Sequence, residues 1–406
     1  MSFFYLIFIL LTAYFSFRYD RVEEYDSHKQ HRLWLMCGYL ICLTGFSYGL
    51  GADKFAYMAD FEACPDNFSE AGEYVWRQMM FRGLMPLWTI LNLSCKVFFN
   101  SFYVVQFIES IVINIAVCYV IRKYTQRYFL FLLIYFFSLQ YFIFNTEIMR
   151  EGFALAIVLI GMNAYLDGKK WVFYSILPIA FLFHVSAFIA LLFPFTKYKL
   201  SWKTLLYAFC LSFSLWLFSD LILGKIILMA FGGQGAFAEK VLFYSMQATT
   251  IFGFTRSVIT HLVFPYIIMY YSVISEPSEE LKEKKMRIVA YMVPLAIIAS
   301  SFAGPGFVRL YNYIQIFYLT MLTDFTYNLL RSQKHLIIRG GALVGTIFLL
   351  MLSYLAHYES TNTYFYEFFY PYTCILDEND GVYFRQIAHQ EATTFEVADN
   401  NVRDIE

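Results

Sequence analysis

Five arginines outside the basic clusters of this chain could bind an anion. They are Arg77, Arg82, Arg150, Arg256 and Arg309. A guanidinium stays charged and binds phosphate oxygens through paired hydrogen bonds, so arginines facing one cavity would form a site for an anionic group. Arg150 and Arg309 fall at the ends of apolar runs, where a charge needs a partner or a watery cavity. Alternatively, Arg150 pairs with Glu147 or Glu151 and the others reach toward lipid headgroups.

Four residues could exchange a proton beside such a site: Asp53, Glu147, Glu151 and His184. Asp53 follows a Gly-rich stretch, where it could act as a base or merely cap the next helix. His184 interrupts an apolar run with Ser186 two residues later, and it could equally be a core histidine bonded to a nearby carbonyl. The spacing leaves both alternatives open.

These side chains must be positioned by membrane helices. Of the 406 residues, 59% are hydrophobic and only 15% are charged, whereas soluble proteins average about 25% charged residues. Apolar runs of 16 to 20 residues recur along the sequence, which suits a hydrocarbon layer of about 30 Å. The chain is therefore predicted to be an all-α polytopic integral membrane protein, with about ten transmembrane helices, a re-entrant hairpin and interfacial helices.

Lysine and arginine mark cytoplasmic loops. Placing every basic cluster inside puts both termini outside and gives spans near 2–17, 33–51, 102–121, 128–144, 152–166, 204–223, 257–274, 288–304, 308–326 and 337–357. We thus predict one transmembrane domain over 1–357, with periplasmic loops 52–101 and 224–256. A periplasmic tail, 358–406, follows, and its end is predicted to be disordered.

Two apolar stretches do not fit as ordinary spans. Residues 84–99 contain Pro86 and several polar side chains, so we predict an interfacial or re-entrant helix. Residues 171–195 are flanked on both sides by lysines and would enter and return, as two short helices meeting near His184. The alternative is one span with Lys197 and Lys199 outside. In the loop 224–256, apolar residues around a Gly-rich turn suggest an amphipathic helix on the membrane surface.

Other chemistry receives little support. The seven cysteines lack metal-type spacing, and no nucleotide-binding, zinc-hydrolase or nucleophile-elbow motif occurs, so we expect no cofactor, no metal and no nucleic-acid partner. Cys64 and Cys374 are the cysteines outside the spans, where they could form a disulfide or stay free. Glu109, near the middle of a span, is the residue that most favours a transporter.

Several motifs, taken in order, resemble those of a known family. They are Tyr48, Gly49, Gly51, Asp53 and Tyr57 after the second span; Asn145, Arg150 and Ala154; a Gly-Lys-Lys loop; Leu182 to Ala187; Arg309 and Tyr311; and Pro371 with Tyr372. This order resembles the EpsG family of Wzy-type bacterial polysaccharide polymerases over nearly the whole chain. Ser47 and Glu151 depart from the family pattern, which usually has an arginine before the Gly-x-Asp string and Arg-Gln at 150–151.

The resemblance implies an enzyme of the bacterial inner membrane that uses undecaprenyl-diphosphate-linked oligosaccharides, with the lipid bilayer, a flippase and chain-length regulator proteins as partners. It would join capsule, exopolysaccharide or O-antigen repeat units by glycosyl transfer at the periplasmic face. Arg150 and Arg309 are expected to contact the diphosphate, with Arg77, Arg82 and Arg256 as further candidates. Asp53 or His184 would serve the acceptor hydroxyl, and Glu151 would position Arg150.

Two alternatives come from other classes. A flippase or transporter of a lipid-linked or anionic solute would use Glu109 and should show an internal repeat, of which the sequence has no convincing example. A membrane glycan acyltransferase could use His184 as its catalytic histidine, but no further acyltransferase signature is present.

Overall fold

A computed structural model describes residues 3–21, 27–51, 53–196, 199–222, 250–302, 305–332, 336–361 and 368–376 of the chain. In a membrane, backbone N–H and C=O groups must be satisfied within the chain, which favours helices over any other form for long apolar runs. The described residues accordingly form helices joined by short turns, and a single isolated antiparallel bridge pairs Ser47 with Cys374.

The helices are labelled in chain order. They are α1 (Phe3–Tyr19), α2 (Ser27–Gly45), α3 (Lys54–Glu62), α4 (Ala71–Arg82), α5 (Pro86–Phe99), α6 (Phe102–Tyr124), α7 (Tyr128–Phe137), α8 (Gln140–Phe142) leading into a π-helix (Ile143–Glu147), α9 (Met149–Leu166), α10 (Lys170–Phe183), a 3-10 helix (Val185–Phe195), α11 (Trp202–Leu217), α12 (Ser219–Leu221), α13 (Ile251–Ser257), a second π-helix (Val258–Val263), α14 (Phe264–Ile274), α15 (Glu279–Phe302), α16 (Pro305–Val308), a 3-10 turn (Arg309–Tyr311), α17 (Asn312–Ser332) and α18 (Leu336–Thr361).

The apolar helices fall into two length classes. Among the described residues, four helices are long and apolar enough to cross a membrane, namely Phe102–Tyr124, Met149–Leu166, Ile251–Ile274 and Glu279–Phe302. Shorter apolar helices include Phe3–Tyr19 and Trp202–Leu217. The all-helical membrane class is therefore confirmed, while the count of about ten spans stays a prediction.

One predicted span is interrupted. The run at 128–144 forms two helices bent by 81° instead of a single rod. The break falls at Leu139, whose φ of 65° lies in the left-handed region that ends a right-handed helix. The predicted span near 128–144 is therefore a broken one or a re-entrant loop, with Ser138 and Gln140 on either side of the break.

The basic clusters predicted to be cytoplasmic gather at one end of the bundle, which we call the lysine-rich end. Lys29 donates to the carbonyl of Gln126 at 2.5 Å. Asp167, after α9, pairs with Lys123 of α6 and with Lys284 of α15, the latter at 2.9 Å. These contacts join four of the clusters that charge alone had assigned to a common side.

The start of α1, the end of α2 and the C-terminal segment 368–376 meet at the other end, which we call the arginine end. The Tyr5 hydroxyl donates to the Phe369 carbonyl at 3.0 Å. The Tyr48 amide donates to Thr373 O at 2.9 Å, and the Gly51 amide donates to Phe368 O at 3.2 Å. The elements predicted to be outside thus lie together, with the C-terminal segment paired along the loop that leads to Asp53.

Residues 170–195 fold back on themselves. The backbone is extended at His184 (φ −153°, ψ 130°), between α10 and the 3-10 helix. The rings of Phe173 and Phe193, near the two ends, lie 6.2 Å apart, and both contact Tyr165 at the lysine-rich end. The predicted two-helix hairpin with His184 at its tip is therefore present.

Several other predictions meet a definite outcome. Residues 86–99 form helix α5, as expected for an apolar helix at 84–99. Cys64 and Cys374 are free thiols, so the disulfide alternative is wrong: the Cys64 thiol lies 3.4 Å from the Tyr74 hydroxyl, and Cys374 pairs with Ser47. Most of the predicted loop helix at 224–256 and most of the tail lie outside the described residues.

Candidate active site

The N-terminus of α9 is held in place by a close approach to α6. A Cβ on Gly152 would lie 2.5 Å from Ile113 Cδ1 and 2.7 Å from Phe144 O, so only glycine lets the two helices pack at this level. The π-helix before α9 is fixed by Asn145, which accepts from Asn114 at 2.7 Å and donates to the Tyr141 carbonyl at 2.8 Å. The backbone that carries Arg150 and Glu151 is therefore held firmly in place.

Helix α3 is placed against this backbone by a second glycine. Gly51 has a φ of 99°, and a Cβ there would lie 2.8 Å from Thr146 Oγ1. The loop thus turns tightly onto the π-helix and delivers Asp53, Lys54 and Tyr57 beside α9. The Tyr57 hydroxyl donates to the Glu147 carbonyl at 3.1 Å.

Arg150 lies over the Tyr57 ring, with its guanidinium carbon 5.7 Å from the ring centre. Its Nε is buried and has no hydrogen-bond partner among the described residues. Burial raises the pKa of the Tyr57 hydroxyl to about 12, while the positive charges of Arg150 and Arg309 act in the opposite direction. Tyr57 is therefore a neutral donor, and Arg150 is a cation with unused hydrogen-bonding capacity.

Glu151 connects the two arginines. It is only 2% exposed, and its Oε1 accepts from Asn312 Nδ2 at 3.0 Å, whereas Oε2 has no partner among the described residues. Both Arg309 and Arg150 lie within electrostatic range of this carboxylate. The structure thus brings together two arginines that are 159 positions apart in the sequence (309 − 150) around one buried carboxyl group.

His184 reaches the same end of the bundle. Helix α10 has 14 residues and rises about 21 Å from the lysine-rich end, and Phe183 stacks on Phe153, one turn into α9, with ring centres 4.9 Å apart. His184 Nδ1 lies 2.5 Å from Ser186 Oγ, which lies 2.8 Å from the Tyr313 hydroxyl. Tyr313 follows Asn312, the partner of Glu151.

His184 contacts Ser186 through its Nδ1. The Ser186 backbone N–H donates to His184 Nδ1 at 3.4 Å, and an amide can donate only to an unprotonated ring nitrogen. The neutral imidazole therefore carries its proton on Nε2, which makes that nitrogen a donor. Asp53 makes no side-chain capping bond to α3, so capping does not account for it.

Not every predicted arginine joins this group. Arg77 lies on α4, a helix without buried residues, and pairs with Glu73 at 3.5 Å while 65% of its side chain is exposed. Arg82 pairs with Asp60 at 2.7 Å. Arg256 is exposed on α13 and acts electrostatically on His261, whose ring packs 5.2 Å from that of Tyr311.

Some residues of the group escaped the sequence-based prediction. Lys54, Asn312 and Tyr313 contact or face the predicted residues, yet they carry no distinctive spacing. Asn312 and Tyr313 directly follow the Arg309-x-Tyr311 motif, so the neighbourhood of that motif was the one available signal.

We call Asp53, Tyr57, Arg150, Glu151, His184, Arg309 and Asn312 together the arginine site. Its cations and donors can hold an anionic group, and its carboxylates can accept a proton.

One family model matches most of the chain. The model of the EpsG family matches residues 33–374, a range that contains every residue of the arginine site. No curated protein and no solved structure matches the chain. The match confirms the resemblance that the order of the motifs had indicated, and the chain belongs to the EpsG family.

Proposed function

We propose that this protein joins undecaprenyl-diphosphate-linked oligosaccharide repeat units at the periplasmic face of the bacterial inner membrane. Its family and its apolar helices make it a membrane protein with a polymerase-type role in exopolysaccharide biosynthesis. The observation that carries the finer proposal is the convergence of Arg150 and Arg309 around Glu151 at the end of the bundle opposite the lysine-rich one. By the positive-inside rule, that end faces the periplasm.

In this proposal, the acceptor hydroxyl oxygen attacks the anomeric carbon of the donor sugar. The new carbon–oxygen bond forms as the bond from that carbon to the diphosphate breaks, and the lipid diphosphate leaves. Arg150 and Arg309 stabilise the charge that develops on the leaving phosphate, where preorganised cations away from bulk water act most strongly. Glu151 holds the two guanidinium groups toward the site.

The proton of the acceptor hydroxyl passes to Asp53. This carboxylate lies beside Tyr57 at the start of α3 and makes no capping bond. His184 is less suited to accept it at Nε2, because its Nδ1 accepts a hydrogen bond from the Ser186 amide, which leaves Nε2 as the nitrogen that donates. We assign His184 the role of a hydrogen-bond donor to the sugar or the diphosphate.

The transporter alternative rested on Glu109. Lys54 lies within electrostatic range of that carboxylate, so its charge has a local counterpart and does not require a transport path. This weakens the alternative.

An elongation assay separates these functions. Purified protein in lipid vesicles is supplied with lipid-linked repeat units, without nucleotide or ion gradient, and the products are resolved by size. Lengthened chains are expected on the lipid carrier. Movement of the lipid-linked unit across the bilayer without any lengthening would refute the polymerase and favour a flippase.

A further inference from the structure

A buried lysine lies directly behind the arginine site. Lys54 is 0% exposed, although it is the first residue of α3 and follows Asp53. Its ammonium contacts the Met149 sulfur at 3.7 Å and lies 5.7 Å from the centre of the Phe102 ring. Burial lowers the pKa of Lys54 to about 8, which leaves it mostly charged at neutral pH. Neither neighbour neutralises this charge, because a thioether is a weak acceptor and an aromatic ring carries no net charge.

A buried carboxylate faces this lysine from α6. Glu109 is 0% exposed, and neither of its oxygens has a hydrogen-bond partner among the described residues. Glu109 Oε1 lies 3.4 Å from the place that a Cβ on Gly152 would occupy, and Lys54 contacts Met149, three residues earlier on the same first turn of α9. The two ionisable groups are therefore buried on either side of the start of α9, within electrostatic range of each other. Burying either charge alone in this interior costs free energy, and the opposite charge of the other group offsets part of that cost.

The position of Lys54 links this pair to the site. Lys54 touches Met149, the residue before Arg150, and its own neighbour is Asp53. One turn later on α3, Tyr57 bonds the Glu147 carbonyl and lies beneath Arg150. Attraction toward Glu109 draws the start of α3 against α9, and so sets how Asp53 lies relative to Arg150.

We propose that Lys54 is a positioning residue of the arginine site and that Glu109 is its counter-charge. The inference rests on the proposed function for its catalytic consequence, but the charge pairing can be tested without it. Removing Glu109 alone leaves the buried ammonium of Lys54 without a counter-charge, whereas removing both groups leaves no uncompensated charge. Adding Lys54→Met to Glu109→Gln should therefore restore part of what Glu109→Gln alone loses.

Three variants form the test: Lys54→Met, Glu109→Gln and the two combined. Elongation is measured on purified protein in vesicles, as kcat and KM for the lipid-linked unit. We expect Glu109→Gln to lower kcat the most, with KM changed less, and the double variant to regain at least about tenfold of that loss. The matched control is Lys285→Met combined with Asp324→Asn and Glu276→Gln, which removes a buried lysine at the lysine-rich end together with both of its ion-pair partners, at 3.1 and 2.7 Å. It should leave the ratio of kcat to KM unchanged.

The outcomes separate the two proposals. If the unaltered protein does not elongate chains, the proposed function fails, and the same three variants are compared by thermal unfolding, where the double variant should be more stable than Glu109→Gln. The same rescue should appear in the amount of protein in the membrane if Glu109→Gln accumulates poorly. If elongation occurs but the losses from the two single changes simply multiply in the double variant, Lys54 and Glu109 are not a pair and the inference is wrong.

Discussion

Replacement of Arg150 by alanine is the most direct test of the arginine site. The guanidinium is fixed before any ligand arrives, because it lies over Tyr57 and starts a helix anchored by Gly152. Removing one preorganised donor to a developing negative charge costs about 100- to 1,000-fold in kcat, or roughly 3–4 kcal/mol. The ring contact itself is worth only about 0.5–2 kcal/mol. We therefore expect the variant to remain folded in the membrane while elongation falls about 100-fold or more.

The assay is elongation at saturating lipid-linked substrate, with protein normalised by size-exclusion chromatography in detergent. Arg150→Lys keeps the charge but loses the planar fork, so its activity should fall between those of alanine and arginine. The matched control is Arg77→Ala, because Arg77 is exposed and its pairing with Glu73 has the small value typical of surface ion pairs. Arg150→Ala activity above about a third of normal, or an equal loss in Arg77→Ala, would refute the assignment.

Three further predictions concern stability and topology. Gln106→Leu should lower the free energy of unfolding by about 1–3 kcal/mol, measured by thermal denaturation, because the Gln106 amide donates to three carbonyl groups at the end of α2, two of them within 2.8 Å. Burial raises the pKa of Asp20, after α1, from 3.8 to about 6. Between these two values the folded protein binds a proton at Asp20 that the unfolded chain does not, so the free energy of unfolding should fall as pH rises from about 4 to 6. Asp20→Asn should remove this pH dependence. Cysteines introduced as Lys169→Cys and Lys199→Cys should both resist an impermeant maleimide added to whole cells, whereas Phe68→Cys should react.

Each of these predictions has a clear failure. An unfolding midpoint unchanged by Gln106→Leu would mean that the three carbonyls find other donors. A stability that rises through the same pH window would reverse the role of Asp20. Labelling of the Lys199→Cys variant from outside would place the two ends of the hairpin on opposite faces.

The sequence predicted well which basic loops lie at the same end of the bundle, and for a physical reason. Lysine is excluded from lipid, so its positions report directly which loops share a face, and Lys29, Lys123 and Lys284 do meet at one end. The hairpin followed from the same argument, because lysines on both flanks of 171–195 favoured a return to the same side over a single crossing. The tip at His184 was indicated by the polar break that His184 and Ser186 make in that run.

The sequence could not predict what binds Glu151. Its partner Asn312 lies 161 positions away and sits in an ordinary helix start. Lys54 falls within the predicted loop 52–101 and had no assigned role, and its burial comes from the contact of α3 with α9. The sequence could not predict the positive φ of Leu139 either, because leucine rarely adopts this conformation and tertiary packing imposes it here.

The pairing of residues 368–376 with the end of α2 joins parts of the chain that leave the ribosome at different times. Thr373 donates to the Tyr48 carbonyl across 325 positions. At about 5–20 residues per second, that separation corresponds to roughly 15–65 s of synthesis. Until residues 368–376 have been made, the loop before Asp53 lacks the segment that pairs with it. The loop that leads to the arginine site is therefore fully paired only after residues 368–376 have been synthesised, and a chain that stops before 368 should insert into the membrane without becoming active.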